Sequence, residues 1–112
     1  MARWRGFTVI ATHLSPVRAA RRTQLARLVE LAREPADPVL ILGDLNCGRL
    51  GLGSLAAAGF RGRGLAPTTE RGWPRRIDHV LAGPGARVVV AKVIGSGVSD
   101  HRAVVAEVAR TR

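Results

Sequence analysis

The chain has 112 residues, with 18 Lys or Arg against 8 Asp or Glu and a formal net charge of +10. That length suits one domain, residues 1–112, and leaves no room for two. A single cysteine, Cys47, excludes an internal disulfide and any zinc site of several cysteines, and no apolar run approaches the roughly 20 residues of a helical membrane span. The aromatic residues are Trp4, Phe7, Phe60 and Trp73, so the core must be Val, Leu, Ile and Ala. The positive charge suits a polyanionic partner, because clustered cations concentrate phosphates near a surface. It is almost all Arg, with Lys92 the lone lysine, and is spread over Arg18, Arg21, Arg22, Arg61, Arg63, Arg71, Arg75 and Arg76, which also fits a bias in coding composition.

In chain order, residues 6–14 alternate, with Phe7, Val9, Ala11 and His13 on one face, and predict a strand ending at His13. This run is too short for the core of an export signal. Ser15 and Pro16 pair an N-cap with proline at the first helical position. Leu25, Leu28, Val29 and Ala32 then recur at helical spacing, so an amphipathic helix is expected over about 16–33, stopped before Pro35. Val39, Leu40, Ile41 and Leu42 predict a central strand covered on both faces, ended by a turn at Gly43. A short helix over 54–58, closed by Gly59, precedes a Gly, Arg, Pro and Thr-rich loop at 61–76. Strands follow at 77–82, 86–93 and 102–109, separated by Gly83-Pro84-Gly85 and by the GSGVSD stretch. The expected class is α/β (α+β), a mixed sheet with one main amphipathic helix. A reducing, cytoplasmic setting is compatible with the lone cysteine.

All three histidines and three of the four aspartates sit at the ends of apolar runs, in Thr12-His13-Leu14, Gly43-Asp44-Leu45-Asn46, Ile77-Asp78-His79 and Ser99-Asp100-His101. Asp44 and Asn46 stand two apart, so an extended segment would send both side chains from one face, an acceptor beside a water and an amide beside a phosphate oxygen. Gly-Asp and Asn-Cys-Gly are also ordinary turn formers. Asp78 and His79 are adjacent on a predicted strand and point to opposite faces, so only one of them can line a given site.

From THL through GDLN and PTT…RIDHVL to SDHRAV, these motifs in their order resemble the C-terminal half of the endonuclease/exonuclease/phosphatase superfamily, which includes DNase I and the exonuclease III-type repair endonucleases. The resemblance implies half of a four-layer α/β sandwich with the active site at one rim. It also implies roles: Asp44 orients or deprotonates the attacking water, Asn46 holds the phosphate, Asp100 and Asp44 are metal-site carboxylates, and His101 contacts the scissile phosphate or relays a proton. Asp78 would fix the tautomer of His101, and His13 would donate to the phosphate or the leaving oxygen, while His79 would be structural. The implied cofactor is Mg²⁺ or Mn²⁺, since oxygen-rich ligands favour hard cations. The family's first half contributes a metal-binding Asn and Glu that nothing here matches: Asn46 is the only asparagine and no acidic residue precedes Glu30. The chain therefore reads as N-terminally truncated, with an uncovered sheet face prone to self-association.

The functional expectation is a metal-dependent phosphoric ester hydrolase, phosphodiesterase- or nuclease-like, with nucleic acid favoured as substrate by the charge. The alternatives are a non-catalytic basic module that binds polyanions, or a truncated gene product. Arg21, Arg22, Arg75 and Arg76 would meet phosphates or simply be solvated. Trp73 would stack on a base or cover a sheet edge, and Cys47 is expected to fill space, with no activating base beside it.

Overall fold

The alternating segment forms the one strand expected there, and a short unexpected strand precedes it. Strand β1 (Ala2–Trp4) pairs antiparallel with β2 (Phe7–His13), matching Ala2 to Val9 and Trp4 to Phe7. Arg5 (φ 49°) and Gly6 (φ 82°) turn the chain between them, both left-handed as a two-residue hairpin requires. Arg-Gly lacks the Asn-Gly or Asp-Gly signature, so β1 left no clear mark in the sequence. The computed structural model describes every residue except Arg71, Ser96, Val98 and Arg112. Arg71 in the expected basic loop and two positions of the GSGVSD stretch thus lie outside the described residues.

Helix α1 (Arg18–Ala32) starts two residues later than expected, with Val17 in extended conformation at its N-cap. The Ser15 hydroxyl does not cap the helix; it accepts the Val17 amide at 3.1 Å and closes a turn ahead of it. The helix buries Leu25 and Leu28 and carries the chain back to β3 (Val39–Asp44), which runs parallel to β2. A 3-10 turn (Arg49–Leu52) leads into α2 (Gly53–Ala57), and Gly59 at φ 93° ends that segment much as expected. Strand β4 (Asp78–Ala82) then pairs antiparallel with β3, giving a mixed sheet of order β1-β2-β3-β4. Strands β5 (Ala86–Ile94) and β6 (Ala103–Arg110) form a separate antiparallel pair, with a register shift between Val88 and Val90.

The central strand is covered on both faces, as its unbroken apolar run predicts. On one face Ile10, Val39, Ile41 and Leu81 pack with Leu25 and Leu28 of α1 and with Leu55 of α2. On the other, Phe7, Leu40 and Ala82 pack with Val88, Ala91, Ala106 and Val108 of the β5–β6 pair. Each fully buried aliphatic side chain in these layers contributes roughly 1.5–3 kcal/mol. The expected bare face of the main sheet is therefore partly covered. Apolar side chains are also exposed on the outward face of the hairpin, where Val90, Ile94 and Val105 are about half exposed.

Gly43 does not end β3 at a turn. It lies within the strand, paired to Thr12, at φ 139°, and a Cβ there would sit 1.8 Å from the Thr12 carbonyl oxygen. Only glycine lets β3 approach β2 at this point and carry Asp44 on to the rim. Gly43→Ala is expected to cost about 2 kcal/mol or more, read as a lowered urea midpoint with an unchanged slope.

Candidate active site

The strand register decides which side chains meet. His13 is the ladder partner of Asp44 across the parallel β2–β3 pair, and Asp44 is the partner of Asp78 across the antiparallel β3–β4 pair. The ends of three neighbouring strands thus set His13, Asp44 and Asp78 in one row. His101 arrives from the segment before β6, which is pinned by a bridge between Thr69 and His101, by the Glu70 amide on the Asp100 carbonyl (2.8 Å) and by the Arg102 amide on the Thr68 carbonyl (2.7 Å).

Thr68 organises this corner and was not singled out in the sequence beyond its place in the PTT string. Its side chain is fully buried, and its hydroxyl oxygen accepts the amides of Ile77 (3.1 Å) and Asp78 (3.2 Å) while the hydroxyl donates to the Arg75 carbonyl (3.3 Å). One hydroxyl thereby satisfies the first amides of β4 and holds Asp78 at the rim. The Thr68-Thr69 pair in the loop ten residues before β4 was the available signal.

His101 Nδ1 lies 2.7 Å from Asp78 Oδ2, and His101 Nε2 lies 3.7 Å from Asp44 Oδ2. His13 Nε2 approaches the same Asp44 oxygen at 3.4 Å. The contact with Asp78 is a short charge-assisted hydrogen bond, whereas the two contacts with Asp44 are longer than good hydrogen bonds and leave a polar gap. The Asp78 carboxylate hydrogen bond is the main cause that raises the His101 pKa above its ordinary value, burial opposing it and the charges of Asp78, Asp44 and Asp100 adding to it. Asp44, Asp78 and His101 offer ligand atoms that all lie within 4.8 Å of one another.

The expected extended geometry at 44–46 does not occur. Asn46 is left-handed (φ 51°), and its amide donates to Asp44 Oδ1 at 2.9 Å, an aspartate turn of the kind Gly-Asp sequences form. Asn46 still reaches the rim, because its Nδ2 donates to the Leu14 carbonyl at 2.6 Å and ties the turn to the end of β2. Asp100 is exposed and lies outside the trio, with its Oδ1 accepting from Ser99 Oγ at 3.5 Å. His79 points away from the row, as strand alternation demands, and its Nε2 meets the Cys47 carbonyl at 2.8 Å. Cys47 is buried, and burial pushes its thiol pKa up against the opposing Arg21 guanidinium. Trp73 does not cover a sheet edge: it is 84% exposed. Arg21 is taken up by the carbonyls of Ser15 and Pro16 at the start of α1.

A layered α/β fold that gathers two aspartates and a histidine where several strands end defines a rim-sited polar centre. The sequence model of the Endonuclease/Exonuclease/phosphatase family matches residues 3–101, and the chain belongs to that family. Among solved structures, a conserved protein of unknown function from Enterococcus faecalis superposes with a TM-score of 0.75 at 23% identity, covering 92% of this chain and 50% of that one. A mannosyl-6-phosphatase from Bacteroides thetaiotaomicron gives 0.66 at 17% identity, covering 90% and 50%. The TDP2 protein of D. rerio complexed with single-strand DNA product gives 0.72 at 17% identity, covering 90% and 55%. A comparison with curated proteins found no match. The chain spans about half the length of these solved structures, and its fold is half of a DNase I-like sandwich. No helix among the described residues is long and apolar enough to cross a membrane.

Because folding raises the His101 pKa, its pairing with Asp78 stabilises the fold fully below about pH 6.5 and is lost as pH rises through the folded value. In the metal-free protein the imidazole resonance of His101 should titrate above that ordinary value, and Asp78→Asn should move its midpoint down. A midpoint that Asp78→Asn leaves in place would show that the hydrogen bond does not control it.

Proposed function

We propose that this chain carries one half of a divalent-metal-dependent phosphoric ester hydrolase in which water attacks phosphorus, residues 1–112 acting as one unit in a cytoplasmic setting. The observation that carries this reading is the row of Asp44 and Asp78 with His101 bonded across it at the strand ends. Asp44 orients the attacking water and takes its proton at Oδ2, the oxygen facing both imidazoles. Asp78 holds His101 in one orientation through Nδ1, and as the imidazolium His101 donates to a phosphate oxygen. His13, at the outer end of the row, donates to the phosphate or to the leaving oxygen, and Asn46 holds a further phosphate oxygen with its amide. A carboxylate-dominated rim suits a hard cation that takes one or two carboxylates and leaves its other positions to water and phosphate. Asp44 and Asp100 would hold Mg²⁺ or Mn²⁺, which when bound neutralises charge on the phosphate oxygens.

The test is cleavage of bis-p-nitrophenyl phosphate with and without Mg²⁺. Turnover should require the cation, and Asp44→Ala and His101→Ala should each lower it about a hundredfold or more. Unchanged turnover in both variants would sink these assignments, and salt-sensitive binding to polyanions without any turnover would favour a non-catalytic module.

The outward face of the β5–β6 pair, with Val90, Ile94 and Val105 half exposed on a chain half the length of its structural neighbours, supports self-association of the isolated chain. Light scattering should give a mass above 11.9 kDa, and a monomer at every concentration would refute it.

A further inference from the structure

A cleft of about 1040 Å³ lies to one side of the strand ends, and His13, Asp44, Asp78 and His101 do not line it. Five arginines do, Arg49, Arg61, Arg63, Arg75 and Arg76, and no carboxylate among the described residues joins them. Two of the five hold the walls: Arg61 donates to the carbonyls of Ala56 and Phe60, and Arg63 to that of Val89. The guanidinium groups of Arg49, Arg75 and Arg76 have no hydrogen-bond or ion-pair partner among the described residues. Most carboxylates of the chain are committed elsewhere: Asp37 pairs with Arg3, Glu30 with Arg27 and Glu70 with Arg102, while Asp44 and Asp78 face the histidines. The counter-charge for the three free cations therefore has to come from another molecule.

The cleft is not polar throughout. Buried side chains of Leu52, Phe60 and Leu65 form an apolar floor, and the Trp73 indole, 84% exposed, stands on the wall that carries Arg75 and Arg76. That wall is fixed at its base, where Thr69 Oγ1 accepts the Arg75 amide at 3.1 Å and the Thr68 amide donates to the Arg75 carbonyl at 2.8 Å. An occupant must bring anionic groups for the guanidinium groups and an apolar group for the floor and the indole. Inorganic phosphate or a sulfated polymer brings only the charge. A bilayer brings both, but a flat surface does not enter a concavity. A polynucleotide brings phosphates, yet its bases carry polar edges that an aliphatic floor leaves unpaired. A peptide in which carboxylates flank a bulky aliphatic side chain meets both demands, and Trp and Arg are the residues enriched where partner proteins dock.

We propose that this cleft is a docking surface for an acidic peptide segment of a partner protein, its carboxylates paired with Arg49, Arg75 and Arg76 and an aliphatic side chain seated against Trp73 above the floor. The guanidinium groups take carboxylates in charge-assisted hydrogen bonds, and the positive charge of the chain speeds the encounter. This docking goes beyond the hydrolase reading. None of the carboxylates and imidazoles assigned to the chemistry takes part in it, so the two fail separately.

The experiment is fluorescence anisotropy with the full chain in excess chelator and a labelled oligoglutamate peptide, compared with a peptide of the same charge that carries a central leucine pair. The leucine peptide should bind about tenfold tighter than oligoglutamate, and Trp73→Ala should remove that difference. Arg75→Gln and Arg76→Gln should each weaken both peptides several-fold, while Arg18→Gln, on the exposed face of α1, should weaken neither. In a Trp4→Phe background, emission from Trp73 should shift to the blue as the leucine peptide is added. Equal affinity for the two peptides, or an Arg18→Gln loss as large as that of Arg75→Gln, would overturn the proposal by showing diffuse charge attraction only. Tighter binding of an oligothymidylate of equal charge or of phosphatidylglycerol vesicles, or no binding of either peptide, would overturn it too, whatever the result with bis-p-nitrophenyl phosphate.

Discussion

The backbone ladder that runs across the ends of β2, β3 and β4 is the constraint on which the rest depends. It makes His13, Asp44 and Asp78 direct neighbours, and a slip of one residue in either pairing would turn Asp44 or Asp78 to the opposite face of the sheet. Two layers of aliphatic side chains hold that register, one under α1 and α2 and one under the β5–β6 pair. A shifted strand would expose Ile41 and Leu81 in the same movement that displaced Asp44 and Asp78. Packing energy and site geometry are therefore coupled through the period of the strand.

A second layer of order comes from polar groups that are buried and satisfied. Thr68 serves the first amides of β4, the 68–70 segment fixes the backbone of 100–102, and Asn46 ties its turn to Leu14. Among the described residues no buried side-chain nitrogen or oxygen lacks a partner. In a low-dielectric interior such bonds are strong and an unmade one is costly, so they specify one arrangement. His101 is consequently delivered to Asp78 by backbone pairing, and its own side-chain bond completes a placement already made.

Charge is divided in space. The chain is strongly basic, yet Asp44 and Asp78 meet where the strands end, while five of its arginines line a separate cleft that no aspartate lines. The two signs of charge are thus separated across the molecule, carboxylates at the rim and guanidinium groups in the cleft. The raised pKa of His101 belongs to the same arrangement, since the carboxylates around it favour the imidazolium.

Much of the architecture was legible along the chain. Alternation marked β2, the unbroken Val-Leu-Ile-Leu run marked a strand buried on both faces, and Gly59 and Gly83-Pro84-Gly85 marked the breaks that the fold shows. Strand parity alone separated Asp78 from His79, because adjacent side chains on a strand cannot share a face. By contrast, the left-handed turn at Asn46, the glycine clearance at Gly43, the role of Thr68 and the folding of β5–β6 over the main sheet came only with the tertiary structure. Periodicity records which side of an element is apolar, a property of residues near one another in sequence. Which strand lies beside which, and in what register, is settled by hydrogen bonds and packing between segments tens of residues apart, and no local pattern contains them.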